Sequence, residues 1–100
     1  MKIFGEKIKE LRVQNRLLQR EVAAKLKIDT PMLSKIERGE RLAKREQVLL
    51  LSKIYIVSEK ELLSLWLGEK LYEIIKDEDV ALSAMQVAEE QVKYSKNIKK

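Results

Sequence analysis

The residue that most constrains this chain is Pro31, its only proline. It falls inside a run of otherwise helix-favouring sequence, LLQREVAAKLKIDTPMLSKIERGER, residues 17–41. Proline disrupts a helix interior because it lacks an N–H and its ring clashes with the preceding turn; it fits a first turn, where that N–H would have had no partner. The residue before proline is pushed out of the α region, which is also the geometry of a helix N-cap, and Asp29 and Thr30 are both good capping types. Pro31 therefore starts a helix. The stretch resolves into a helix over about 18–26, a tight turn over 27–29 and a second helix over 30–38.

The rest of the chain reads as helix by the same logic. Phe4, Ile8 and Leu11 mark an amphipathic helix over 3–14, and Val22, Ala23 and Leu26 give the apolar face of the one after it. Leu33 and Ile36 give the face of the helix Pro31 opens, which Gly39 closes. Glu40 to Lys44 reads as a basic loop and 45–55 as a fourth helix. Ser58 and Glu61 form an S-x-x-E capping box before a fifth helix carrying Leu63, Leu67, Leu71 and Ile74. Leu62, Leu65 and Trp66 widen its apolar face, and Gly68 is a candidate kink or domain edge. Asp77-Glu78-Asp79 is the acid-rich start expected of a sixth helix, with a stripe of Ala81, Met85, Ala88 and Val92. The tail KYSKNIKK is expected to fray. With three glycines and no strand-like alternation, the expected class is all-α, about six helices.

Two helices joined by a tight turn define a helix-turn-helix. The stretch LRVQNRLLQREVAAKLKIDTPMLSKIERGER, residues 11–41, resembles the Xre-type, phage-repressor/Cro-like family. The likeness rests on Leu11, Arg12, Gln19, Glu21, Ala23, Leu26 and Ile28, and on Leu33 together with the run Ser34 to Gly39 and Arg41. It extends over 3–67 and implies a lambda-repressor-like five-helix DNA-binding domain at 1–67, with 68–100 as a C-terminal helical extension. It also implies residue roles. The second helix of the motif would lie in the major groove of double-stranded DNA, with Thr30, Pro31, Met32, Ser34 and Lys35 at base edges; Thr30 has the alternative of being spent as an N-cap. Gln19 and Arg20, at the start of the first motif helix, and Arg38, Arg41, Lys44 and Arg45 would bond phosphates, which position without reading sequence. Arg12 and Glu37 resemble a structural ion pair tying the first helix to the end of the recognition helix.

Three positions depart from the family pattern. Leu18 stands where Ser or Thr usually caps. Lys27 stands where glycine is common, and a positive φ there would cost roughly 1 kcal/mol or more, so a reshaped turn is expected. Ala43-Lys44 replaces the usual proline before the fourth helix.

Charge supports a nucleic-acid partner. Residues 1–45 hold 13 Lys and Arg against 6 Asp and Glu, whereas 46–100 hold 8 against 10. All six arginines lie in the first part, and arginine's planar fork suits phosphate and guanine. The bland alternative is a solvated basic face. There is no cysteine or histidine, which removes disulfides, zinc sites of the usual ligand types and imidazole catalysis. With no nucleophile–base set and no phosphate-cradling glycine loop, neither an enzyme nor a metal or other cofactor is expected. The absence of a long apolar run points away from a membrane and, with no signal-peptide core at the N-terminus, to the cytoplasm.

One such domain covers only about 4–5 base pairs, too few for specificity, so family members normally dimerise on palindromic sites. Leu63, Trp66, Leu67, Leu71, Ile74, Met85, Ala88 and Val92 are the expected homodimer interface; a sixth helix folded back on its own core is the alternative. The regulator expected is a repressor or autoregulator, with some preference for a restriction–modification controller. An antitoxin whose C-terminal helices hold a toxin, or an interaction module without DNA binding, are the competing readings.

Overall fold

The computed structural model describes residues 3–98. Over them the chain forms α1 (Ile3–Gln14), α2 (Gln19–Leu26), α3 (Thr30–Glu37), α4 (Arg45–Tyr55), α5 (Glu59–Ile75) and α6 (Ala81–Ile98), with no strand. The core is built where the apolar spacing puts it: Phe4, Ile8, Leu33, Leu51 and Leu62 are sealed from solvent, with Val22, Ala23, Leu26, Ile36, Val48 and Trp66 around them. Helices α1 to α5 share this core, α5 packing on α4 and α1, and α2 on α3. The result is the all-α, lambda-repressor-like arrangement.

The connections are made by one device used four times. At the end of α1, α2, α3 and α4 the chain steps through a single left-handed residue: Arg16, Lys27, Gly39 and Ile56, with φ of 56°, 59°, 75° and 53°. Each is closed by paired backbone bonds, as Lys27 N–H to Ala24 O (3.1 Å) and Ile28 N–H to Ala23 O (3.0 Å) show. This is the Schellman pattern, which satisfies carbonyls the helix would otherwise orphan. The turn after α2 is therefore not reshaped to spare Lys27; the lysine adopts the glycine geometry. Three of the four sites force a residue with a Cβ into αL, which L-residues resist.

The N-termini correct several expectations. Asp29, not Thr30, caps α3, its carboxylate accepting from Met32 N–H at 2.8 Å. Thr30 and Pro31 are thus the first two helical residues, and Thr30 is not consumed as a cap. Leu18 has no side-chain acceptor to offer α2; Glu21 instead reaches back to its N–H at 2.8 Å. Gln47 does the same for Lys44 N–H at 2.9 Å. Ser58 accepts from Glu61 N–H at 3.3 Å, while the Glu61 carboxylate goes to Lys7, 3.6 Å away. Asp77 and Glu78 lie in the turn before α6, whose first turn carries no acid. α5 runs unbroken through Gly68, so the expected boundary at 67/68 falls inside a continuous helix. α6 likewise continues to Ile98 where fraying was expected; the end of that tail, Lys99 and Lys100, lies outside the described residues.

One close approach went unread in the sequence. A Cβ on Gly5 would sit 2.5 Å from Glu37 O and 2.6 Å from Ile36 O. Glycine at 5 lets α1 touch the backbone end of α3, and it fixes where α3 points.

Candidate nucleic-acid interface

The candidate interface begins with a buried carboxylate. Glu37, at the last turn of α3, has a side chain only 2% exposed, and an unpaired charge there would be strongly destabilising. Arg12 supplies the partner as a fork, Nε to Oε2 at 2.8 Å and Nη2 to Oε1 at 3.2 Å. Its third nitrogen, Nη1, donates to Leu17 O at 3.0 Å. Gln19 Nε2 completes the set by donating to Glu37 Oε1 at 2.9 Å. This knot ties α1, the α1–α2 connection, the start of α2 and the end of α3 into one rigid unit. The hydrogen bond to Glu37, and then the carboxylate's charge, raise the Arg12 pKa against the lowering effect of burial.

Tyr55 completes the surroundings of the knot. Its hydroxyl is buried and finds no hydrogen-bond partner among the described residues. Burial, and then the charge of Glu37, push its pKa well above the usual tyrosine range, with Arg12 opposing.

With its base held, α3 presents a mixed outer face. Pro31 and Lys35 are exposed, and Thr30 and Ser34 are half-exposed. Met32, expected at a base edge, is drawn inward and packs on the core with Ile28. Ser34 accepts a hydrogen bond from Arg38 Nη1. Arg38 is itself paired to Glu40, Nε to Oε2 at 2.6 Å and Nη2 to Oε1 at 3.3 Å, so its charge is already partly answered. The hydrogen bond to Glu40 raises its pKa.

The other expected phosphate residues divide in the same way. Gln19 is half-buried with one amide proton committed to Glu37, which leaves one more donor on that amide. Arg20, Arg41 and Lys44 are exposed. Arg45, at the start of α4, lies with its guanidinium 5.4 Å from the centre of the Trp66 ring.

Trp66 itself is misplaced in the sequence reading. It was expected on a dimer surface, but it is 4% exposed and its indole N–H donates to Ala43 O at 2.6 Å. Burying an indole requires such an acceptor, and the carbonyl of the α3–α4 loop provides it. Leu63 is half-buried against the same core. The remaining expected interface residues, Leu67, Leu71, Ile74, Met85, Ala88 and Val92, are exposed. α6 is exposed nearly throughout and is not packed back on the domain.

Sequence reasoning also missed Gly5 and Glu69, whose carboxylate accepts from Phe4 N–H at 2.6 Å. A glycine next to a core phenylalanine, in a helix with no need to bend, was the available signal for the first. A family model described as helix-turn-helix matches residues 8–62. No curated protein and no solved structure matches the chain significantly.

Proposed function

The chain belongs to the Xre-type helix-turn-helix family, whose members bind DNA; on that premise we propose that it is a sequence-specific transcriptional regulator acting as a homodimer. The observation that carries the reading is the fixed aim of α3. The Arg12–Glu37–Gln19 knot and the contact at Gly5 hold the helix by its C-terminal end, leaving Pro31, Ser34 and Lys35 on its outer side.

Lys35 is the direct reader, suited to guanine O6 and N7. Thr30, not being a cap, adds a hydroxyl. Pro31 reads by shape or by contact with a thymine methyl, having no donor. Met32, half-buried against the core, has less of its side chain to offer a base than Lys35 has. Arg20, Arg41 and Lys44 neutralise phosphates, while Arg38 must first loosen from Glu40.

The dimer reading is supported by the second half of α5 and by α6, where Leu71, Ile74, Leu82 and Val92 lie open to solvent, Ile74 at 73% and Leu82 at 77%. Apolar surface of that extent on a small chain marks an interaction site. Two copies that read successive major grooves must hold their recognition helices roughly 34 Å apart. No helix among the described residues is long and apolar enough to cross a membrane. The test is selection of bound sequences from random duplex DNA by the purified protein. A two-fold symmetric site with half-sites about 10 base pairs apart is expected; recovery of no consensus would overturn the reading.

A further inference from the structure

We propose that Lys70, on α5, is a phosphate-binding residue of the DNA interface, with Trp66 as the platform that holds it beside Arg45. The proposal rests on the DNA-binding reading above and extends the interface from the helix-turn-helix and its loop onto the fifth helix.

Two cations share one ring. Lys70 Nζ lies 4.3 Å from the centre of Trp66 and the Arg45 guanidinium 5.4 Å from the same centre. The two positive groups are thus within about one Debye length of each other, about 8–10 Å at physiological salt. Like charges so placed repel, and a nearby acid would ordinarily divide them. Among the described residues neither cation is in an ion pair. The acids one residue before and three after Lys70 are turned elsewhere: Glu69 accepts from Phe4 N–H and Glu73 pairs with Lys76.

The ring anchors without neutralising. A cation over an aromatic face is held by the ring's negative face and keeps its full charge for an anion. Arg38 is the contrast within the same chain, positioned by Glu40 and largely answered by it. Trp66 in turn cannot wander, because its indole N–H is bonded to Ala43 O at 2.6 Å. That carbonyl belongs to the basic loop running from Arg41 to Lys44, so the platform and the loop move as one. An anion reaching Arg45 from outside therefore finds Lys70 close beside it. A backbone phosphate, singly charged and repeated along the duplex, is the chemistry that fits a pair of unneutralised cations.

The measurement is the salt dependence of binding to the selected duplex and to a scrambled one, for the wild type, Lys70→Gln and Lys70→Arg. Lys70→Gln is expected to weaken both duplexes several-fold alike and to reduce the log–log salt slope by about 1.8, one phosphate's worth of about 0.9 for each subunit of the dimer. Lys70→Arg is expected to retain the wild-type slope. Lys70→Gln with an unchanged slope and the wild type's oligomeric state overturns the proposal and leaves the DNA-binding reading intact, and so does a lower melting temperature with that slope, which would make Lys70 only a cover for Trp66. Salt-insensitive or absent binding by the wild type overturns both.

Discussion

Tyr55 shows how a single residue can be well placed for volume and poorly placed for polarity. Its ring fills core space at 5% exposure, yet its hydroxyl has no partner among the described residues. A buried hydroxyl without a hydrogen bond costs on the order of 1–3 kcal/mol, so Tyr55→Phe should leave stability unchanged or raise it by up to about 1 kcal/mol, read as a urea midpoint. The raised pKa gives the same residue a pH signature. The native state holds this proton longer than the unfolded chain does, so the associated stability is complete below the unfolded tyrosine pKa of about 10 and is lost as pH rises past it. The wild type's midpoint should therefore fall more steeply above about pH 10 than that of Tyr55→Phe; parallel curves would contradict the assignment. Pro31 carries a different kind of residue-scale test. Glutamine fits the first turn of a helix, so Pro31→Gln should fold as well as the wild type and select an altered site. An unaltered site in a folded Pro31→Gln would remove Pro31 from the groove.

At the scale of elements, apolar spacing located the five core helices because a buried stripe repeats with the helix period, and the same spacing located α6 although its stripe stays exposed. Helix ends were harder. Gly39 announced one left-handed C-terminus, but Arg16, Lys27 and Ile56 take the same conformation with residues that do not advertise it. Ile56 is the least suited, being β-branched, with φ 53° and 90% exposed. Ile56→Gly should then relieve strain while losing almost no packing, raising stability by about 1 kcal/mol; a loss of stability would mean the side chain has a contact that its exposure hides. The candidate site was legible in part for similar reasons. The Arg12–Glu37 pair was legible through the resemblance to the family, and the two side chains meet. Trp66 was read from its spacing as part of a surface face and Met32 from the resemblance as a base reader; the packing of α5 on α4 buries the first, and that of α3 on the core half-buries the second. Gln19 was read as facing outward because nothing in its neighbourhood along the chain reveals Glu37, 18 residues away.

At the scale of the whole molecule, two surfaces of opposite character emerge. One is basic and lies along α3, the following loop and the start of α4; the other is apolar and lies along the end of α5 and α6. The first five helices pack on one another, whereas α6 is exposed along nearly all of its described length. Sedimentation at tens of micromolar should give twice the chain mass, and Leu71→Glu with Ile74→Glu should return it to the monomer and weaken operator binding. A wild-type monomer at that concentration would contradict the dimer.

The central claim, that α3 reads DNA through Lys35, is tested most directly by binding isotherms for the selected duplex and a scrambled one between about 50 and 200 mM salt, for the wild type and Lys35→Ala. The wild type should lose affinity steeply with salt on both duplexes while preferring the selected one. Lys35→Ala should lose about 1–3 kcal/mol of that preference and keep most of the salt slope. Full discrimination by Lys35→Ala, or wild-type binding indifferent to salt, would contradict the account.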